Sequence, residues 1–313
     1  MKKLLIGLLL VITATLAMLY RSDRSAEEIE GMYADTSSRF LNIMGMRVHY
    51  RLEGNPADST PLVLIHGTSS SLHTWDSIVP VLRKDRRILR MDLPGFGLTG
   101  PTPDRVYGLD RYHQFLDSLF DRLGIRSCII GGNSLGGLIA WTYAVHDSSR
   151  VKGLVLIDAA GYPRGKEEGN IGFKLAAMPG VGRVLSMFTP RILIRKSLEG
   201  SYGNPALVNE ALVDRYFDLL LREGNREAVI DMFGSRRPAQ HERISSIRKP
   251  TLIIWGDKDR LIDVSNASRF HEDIRDSRLL VIPGSGHVPM EENPTEVSGA
   301  ISALLDSMKQ QEP

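Results

Sequence analysis

The stretch Ser127–Gly137, with the sequence SCIIGGNSLGG, constrains the fold more than any other part of the chain. Its apolar start, Cys128–Ile130, has the length of a buried parallel strand, and the residues from Leu138 onward are typical of a helix. A serine between two glycines at such a strand-to-helix turn is the G-x-S-x-G pattern of a nucleophile elbow. Glycines are needed there because the turn strains the backbone and brings neighbouring chain very close. The pattern predicts that the Ser134 hydroxyl lies above the sheet edge, beside the amide of Leu135.

The chain around this turn alternates between strand-like and helix-like segments. This rhythm predicts an α/β protein with a mostly parallel, doubly wound sheet that is covered on both faces. An antiparallel hairpin is predicted to precede it, and the main helices follow from apolar residues at helical spacing. The predicted strands are Phe40–Ile43, Met46–Arg51, Leu62–Ile65, Arg87–Met91, Cys128–Ile130, Val151–Ile157, Thr251–Trp255 and Leu279–Ile282, and the predicted helices include Thr74–Arg83, Leu109–Leu123, Val264–Ile274 and Pro294–Met308.

Between residues 161 and 246 the alternation stops, and the pattern predicts helices without intervening strands. We interpret this segment as a helical cap inserted into a core formed by residues 39–160 and 247–313. The predicted cap helices are Gly172–Met178, Gly182–Leu193, Ala206–Leu221 and Arg226–Met232. Apolar cap residues would suit an apolar acyl chain, although such residues at helical spacing more often pack a core. They are Phe173, Leu175, Met178, Met187, Phe188 and Leu193.

The chain begins with two lysines and an uncharged run from Leu4 to Tyr20. A membrane-spanning helix needs about 20 apolar residues, with about 17 as the lower limit. We predict that residues 1–22 form an N-terminal hydrophobic helix that anchors the chain in the inner membrane, with the catalytic domain outside the cytoplasm because lysines stay inside. The alternative is a signal segment, cleaved near Thr15–Ala17, and a secreted or periplasmic protein. Residues 23–38 are charged and are interpreted as a linker.

Charge and cysteine content exclude several classes of function. The chain has 39 Lys and Arg against 37 Asp and Glu, so its net charge of +2 gives no reason to expect a nucleic-acid partner. Cys128 is the single cysteine and lies on the predicted elbow strand, where packing is its expected role. No cluster of Cys and His resembles a zinc site, and we expect neither a metal nor an organic cofactor.

A serine hydroxyl is an effective nucleophile only when a base takes its proton and an acceptor holds that base in the right tautomer. Ligands bind beyond the carboxyl ends of the strands in open α/β sheets, where His287 and Asp259 follow the last two predicted strands. The order Ser134, Asp259, His287 fits an elbow serine followed by its acid and base. Asp158 ends the preceding strand and is the alternative acid. His66 precedes the serine and is interpreted as a structural hydrogen-bonding group.

Five motifs together resemble the α/β-hydrolase family, because LVLIHG, DLPGFG, GNSLGG, WGDKD and GSGHVPMEENP occur in the family's order and spacing. The resemblance covers about residues 40–308 and implies the α/β-hydrolase fold. The serine departs from dehalogenase-like and epoxide-hydrolase-like members, which carry aspartate at that position. The roles that the resemblance implies are nucleophile for Ser134, acid for Asp259, base for His287, and oxyanion-hole amides for Thr68 and Leu135.

The predicted function is a serine hydrolase that cleaves carboxylic esters through an acyl-enzyme intermediate, similar to bacterial esterases and lipases. Its expected partner is a small-molecule ester, with membrane contact through the N-terminal segment. Hydrolysis of amide or carbon–carbon bonds, or acyl transfer to an acceptor other than water, are alternatives on the same three residues. A ligand-binding protein that kept the fold is the non-enzymatic alternative.

Overall fold

The computed structural model of the chain describes residues 20–163, 187–234 and 240–310. Eight strands form one sheet: β1 Arg39–Ile43, β2 Met46–Gly54, β3 Leu62–Ile65, β4 Arg87–Met91, β5 Cys128–Asn133, β6 Val151–Ile157, β7 Thr251–Gly256 and β8 Ser277–Ile282. Their order in the sheet is β1-β2-β4-β3-β5-β6-β7-β8. Only the β1–β2 and β2–β4 pairs are antiparallel, and the other five pairs are parallel. The predicted mostly parallel sheet is confirmed.

The described helices flank this sheet or connect its strands. They are α1 Ala26–Tyr33, α2 Val79–Leu82, α3 Leu109–Leu123, α4 Leu135–His146, α5 Arg191–Ser201, α6 Glu210–Leu221, α7 Asn225–Gly234, α8 Ser265–Asp273, α9 Pro289–Glu292 and α10 Pro294–Lys309. Helix α3 has the predicted bounds and ends at Gly124, whose left-handed φ of 68° a residue with a side chain rarely adopts. The predicted continuous helix Thr74–Arg83 is wrong. Pro80 has no amide proton to extend a helix through it, so a 3₁₀ turn at Leu72–Trp75 and the short α2 replace it.

Side chains of the central strands alternate between two apolar layers, one on each face of the sheet. Val63 and Ile65 pack in the layer that contains the apolar residues of α3 and α4. Leu62 and Leu64 point to the other face, where α2 and α10 cover them. All four are fully buried, and burying each such side chain contributes about 1.5–3 kcal/mol. Burial on both faces explains why these strands are continuous apolar runs.

The segment interpreted as a linker contains the helix α1. Ser25 caps it by accepting a hydrogen bond from the Glu28 amide at 3.1 Å, and Ile29 is fully buried. Tyr33 and Arg24 both bond to Asp218 of α6, each at 2.7 Å. These contacts fasten the start of the described chain to the helices that follow β6.

Helices α5, α6 and α7 all lie between β6 and β7, in the segment interpreted as a cap. Asn209 starts α6 by accepting a hydrogen bond from the Leu212 amide, so the predicted helix Ala206–Leu221 begins four residues late, after a 3₁₀ turn at Pro205–Leu207. The predicted helix Gly172–Met178 lies outside the described residues, as do Phe173, Leu175, Met178 and residues 182–186 of the predicted helix Gly182–Leu193. In the described remainder of that prediction, α5 begins only at Arg191, after Pro190. The domain boundaries 39–160, 161–246 and 247–313 stay predictions.

The prediction of an inner-membrane anchor is wrong for the part of the chain that the structure describes. The longest described helix, α10, has 16 residues, and no helix among those residues is both long and apolar enough to span a bilayer. The run from Leu4 to residue 19, with the possible cleavage site, lies outside the described residues. An inner-membrane location is therefore not retained.

Candidate active site

The serine of the elbow lies where β5 turns into α4, in a strained backbone conformation. Ser134 has φ 55° and ψ −115°, a region that residues with a Cβ rarely occupy. The glycines around it are required by distance, because a Cβ on Gly136 would lie 2.0 Å from the carbonyl oxygen of Ile65. A Cβ on Gly132 would lie 2.3 Å from the carbonyl carbon of Gly136. The Leu135 amide opens the helix, in the turn whose N–H groups have no intrahelical acceptor.

The loop after β3 lies directly against this turn. A Cβ on Gly67 would be 3.2 Å from the Cβ of Ser134, so only a glycine lets the two segments approach this closely. His66 holds the loop from below: its Nδ1–H donates to the Gly67 carbonyl at 2.7 Å, and its Nε2 accepts from the Leu93 amide at 2.9 Å. Burial lowers the pKa of His66, which keeps the ring neutral for these two bonds. The interpretation of His66 as a structural group agrees with both contacts.

His287 and Asp259 form a buried acid–base pair. The His287 Nδ1–H donates to Asp259 Oδ2 at 2.7 Å, which fixes the orientation of the imidazole ring. The other carboxylate oxygen, Oδ1, accepts from the amides of Leu261 and Ile262 at 2.7 and 3.1 Å. The side chains of His287 and Asp259 are 7% and 0% exposed, so water competes little for the bond between them.

The residue before the serine links the elbow to the histidine loop. Asn133 donates from Nδ2 to the backbone carbonyl of His287 at 2.8 Å and to that of Ile157 at 3.2 Å. Asn133 is 2% exposed, and its amide fixes the distance between β5 and the turn that carries the base. The sequence analysis missed this residue, although its place beside Ser134 was a usable signal.

Asp158, the alternative acid, lies beside the pair and is fully buried. One oxygen or nitrogen of each of Asp158, Asp259 and His287 lies within 4.8 Å of the others. Full burial and the neighbouring Asp259 raise the pKa of Asp158 well above its usual range. Its Oδ1 accepts the Gly256 amide at 3.0 Å. The three groups have the spacing of metal ligands, but His287 Nδ1 is already bonded to Asp259 and the raised pKa of Asp158 disfavours its charged form, so the cluster fits a hydrogen-bonded pair better than a cation site.

A second Ser–His–Asp chain occurs at the sheet edge near β1 and β2. Ser38 Oγ lies 2.9 Å from His49 Nε2, and His49 Nδ1 lies 2.8 Å from Asp92 Oδ2. Asp92 also accepts the amides of Leu72 and Leu98, each at 2.7 Å, so it shapes the loops on both sides. Burial opposes its charge, but the contact with His49 holds the pKa of Asp92 below its usual range.

This second chain lacks the features of an elbow. Ser38 precedes an edge strand instead of a helix, and its oxygen accepts the Asp35 amide at 3.1 Å. The described element that follows Ser38 is the strand β1, so Ser38 has no helix amides of its own turn to stabilise an oxyanion. Ser38, His49 and Asp92 are therefore a structural network, which shows that the hydrogen-bond chain alone does not define a catalytic site.

Comparison with known proteins now decides the family. A family model described as "Alpha/beta hydrolase family" matches residues 62–300, which include the elbow, Asp259 and His287. The chain belongs to the alpha/beta hydrolase family. The resemblance inferred from the five motifs is thereby confirmed, and so is the general assignment as a hydrolase.

Similar hydrolases carry different names. The 2-hydroxy-6-oxo-2,4-heptadienoate hydrolase of Pseudomonas putida is 28% identical over 244 residues, which cover 74% of this chain and 84% of that protein. The monoacylglycerol lipase abhd6-A of Xenopus laevis is 26% identical over 291 residues, or 88% of this chain and 83% of that protein. A crystal structure described as a membrane phospholipase A superposes with a TM-score of 0.74 at 25% identity and covers 99% of both chains.

Proposed function

We propose that this alpha/beta hydrolase cleaves carboxylic esters, with Ser134 as nucleophile, His287 as base and Asp259 as acid. The proposal rests on one observation. Asn133, the residue before the strained elbow serine, bonds through its side chain to the backbone of His287, and His287 is paired with the buried Asp259. Two of the similar proteins are named as lipases, which favours esters.

The mechanism follows from the contacts. Ser134 Oγ attacks the ester carbonyl carbon while its proton passes to Nε2 of His287, and the imidazolium is stabilised by Asp259 through Nδ1–H. The oxyanion accepts hydrogen bonds from the amides of Thr68 and Leu135, each worth about 3 kcal/mol in the transition state. Collapse expels the alcohol, which takes the proton from His287. Water then attacks the acyl-enzyme, gives its proton to His287, and the acid leaves as the Ser134 hydroxyl is restored.

The proposal that the substrate has an apolar acyl chain is supported by exposed apolar residues in the segment between β6 and β7. Met187, Ile192 and Leu193 are 47%, 55% and 58% exposed, although large apolar side chains usually avoid water. Exposed apolar side chains in this segment suit a substrate with a long hydrocarbon chain. We expect the specificity constant for p-nitrophenyl esters to rise from the acetate toward the octanoate or laurate.

Carbon–carbon hydrolysis is the second candidate, because one similar protein is named as a heptadienoate hydrolase. The same serine, base and oxyanion donors serve both reactions, so a direct comparison of substrates must separate them. We would measure kcat/KM on p-nitrophenyl esters, on a matched anilide and on a 2-hydroxy-6-oxo-dienoate. Turnover of the dienoate with no turnover of esters would replace the proposal by its alternative.

A fluorophosphonate probe tests the assignment of the nucleophile. We expect one covalent adduct, located on Ser134 by peptide mapping, and its loss together with esterase activity in Ser134→Ala. The matched control is Ser38→Ala, which removes the serine of the structural network and should retain both labelling and activity. Labelling of Ser38, or full activity in Ser134→Ala, would contradict the assignment; absence of any adduct would favour the ligand-binding alternative.

A further inference from the structure

Glu291 lies four residues after His287 and accepts hydrogen bonds from three separate parts of the chain. Its Oε1 accepts from Thr74 Oγ1 at 2.5 Å and from the Tyr216 hydroxyl at 2.9 Å. Its Oε2 accepts from the Tyr202 hydroxyl at 2.8 Å and from Arg215 at 3.2 Å. Glu291 is 10% exposed at its side chain, and Arg215 balances its charge. One carboxylate thus joins the histidine turn to the loop after β3 and to helix α6.

Tyr216 of α6 continues this network to the loop that carries Thr68. The Tyr216 oxygen lies 3.2 Å from Ser70 Oγ as well as 2.9 Å from Glu291. Burial and the adjacent Glu291 charge raise the pKa of Tyr216, so the phenol keeps its proton and donates it to the carboxylate. The remaining bond therefore runs from the Ser70 hydroxyl to the phenol oxygen.

Ser70 lies in the loop between Gly67, which bonds to His66, and Leu72, which bonds to Asp92. The neighbouring Ser69 has a left-handed φ of 58°, a strained conformation that persists only where surrounding contacts hold it. The Ser70 amide donates to the Gly67 carbonyl at 3.3 Å, a long bond. Gly67 in turn lies against Ser134, and Thr68 is enclosed between Gly67 and Ser69. A shift at Ser70 is therefore transmitted to the Thr68 amide.

We propose that Tyr216 is a positioning residue that, oriented by Glu291, holds the oxyanion loop through Ser70, so that helix α6 completes the oxyanion hole. The inference rests on the proposed roles of Ser134 and Thr68. It assigns to α6 a role in transition-state stabilisation, in addition to any contact that the cap segment makes with substrate.

The test is Tyr216→Phe, which keeps the ring and removes both hydrogen bonds. We expect kcat to fall at least about 10-fold, and by no more than the roughly 10²–10³-fold loss that follows removal of an oxyanion donor. The Kd of the ester, measured in a Ser134→Ala background, should stay unchanged. Ser70→Ala should lower kcat similarly, the double variant should lose little more, and Ser70→Thr should restore most activity because it keeps the hydroxyl.

The matched control is Tyr33→Phe, which removes a 2.7 Å bond from a tyrosine to a carboxylate, Asp218, on the same helix α6. It should leave kcat close to that of the unmodified protein. The inference is overturned if Tyr216→Phe behaves like Tyr33→Phe, or if Tyr216→Phe and Ser70→Ala act additively. Thermal unfolding of each variant identifies any general loss of folding.

The rate of fluorophosphonate labelling at Ser134 gives a second readout that does not depend on the ester. It should fall in Tyr216→Phe and Ser70→Ala as kcat does, because the phosphoryl oxygen needs the same donors. An unmodified protein that is labelled at Ser134 but cleaves no ester would overturn the proposed ester specificity alone. An unchanged labelling rate in Tyr216→Phe would overturn the inference about α6 alone.

Discussion

Substitution of Asp259 by asparagine should abolish most activity because it reverses the tautomer of the base. The Oδ1 of Asp259 already accepts the amides of Leu261 and Ile262 at 2.7 and 3.1 Å. An asparagine must keep its carbonyl oxygen there, which turns its NH₂ group toward Nδ1 of His287. Nδ1 then has to accept, and the ring proton moves to Nε2, where it blocks proton transfer from Ser134.

The expected magnitude is a loss of roughly 10⁴-fold in kcat, which corresponds to about 5 kcal/mol in the activation barrier. Asp158→Asn is the decisive comparison, since Asp158 is the alternative acid. An asparagine resembles a neutral carboxyl group in size and can still accept the Gly256 amide. We therefore expect Asp158→Asn to change kcat by less than about threefold, under 1 kcal/mol.

The assay is steady-state hydrolysis of a p-nitrophenyl ester, with thermal unfolding to confirm that each variant is folded. Asp257→Asn is a matched control in the same turn, because Asp257 accepts a loop amide, that of Gly284, at 2.7 Å and pairs with Lys258 at 3.8 Å. Equal losses in Asp158→Asn and Asp259→Asn would refute the assignment of Asp259 as the acid. So would an Asp259→Asn protein with more than a tenth of the original kcat.

Two further predictions concern buried groups away from the site. Cys128 is fully buried, and burial raises the pKa of its thiol to about 12. The folded protein should therefore resist iodoacetamide at pH 8 and the unfolded protein should react fully, as measured by intact mass. Stoichiometric labelling of the folded protein would contradict the packing role of Cys128. Burial, aided by His146, lowers the pKa of His113 to about 4. The unfolded chain then binds more protons between pH 6.5 and 4, so the free energy of unfolding should decrease by up to about 3 kcal/mol as the pH falls through that window. His113 Nε2 lies 3.0 Å from Thr142 Oγ1, a contact that a glutamine can keep. His113→Gln should therefore lessen this decrease in denaturant titrations at pH 7 and 4.5. An equal decrease in the free energy of unfolding in the variant would contradict the role of His113.

Local signals were sufficient for the sheet and for the elbow. The strand, glycine and helix around Ser134 adjoin one another in the chain, and the apolar runs that form the central strands β3, β5 and β7 are buried on both faces of the sheet. Helix α1 also had a local signal that was missed: Ser25 and Glu28 have the spacing of a capping box, within a stretch interpreted as a linker from its charge alone.

Contacts between distant residues were beyond the reach of the sequence. Thr74 and Glu291 are 217 positions apart, and nothing in either local stretch indicates that they meet. The same applies to His49 and Asp92, whose pairing imitates a catalytic chain without performing its chemistry. In both cases side chains of the same types occur throughout the surface, and only the packing of the strands selects the partners.

The junction between α5 and the histidine turn limits how this enzyme could be re-engineered. The His287 amide donates to the Ser201 carbonyl at 2.7 Å, and the backbones at Gly203 and Gly286 touch so closely that neither tolerates a side chain. A graft that exchanges the segment between β6 and β7 for that of another hydrolase would leave a buried amide unsatisfied, at a cost of about 1–3 kcal/mol, unless it retained residues 201–204. Substrate range should therefore be altered by point substitutions at positions before residue 201, with residues 201–204 left unchanged.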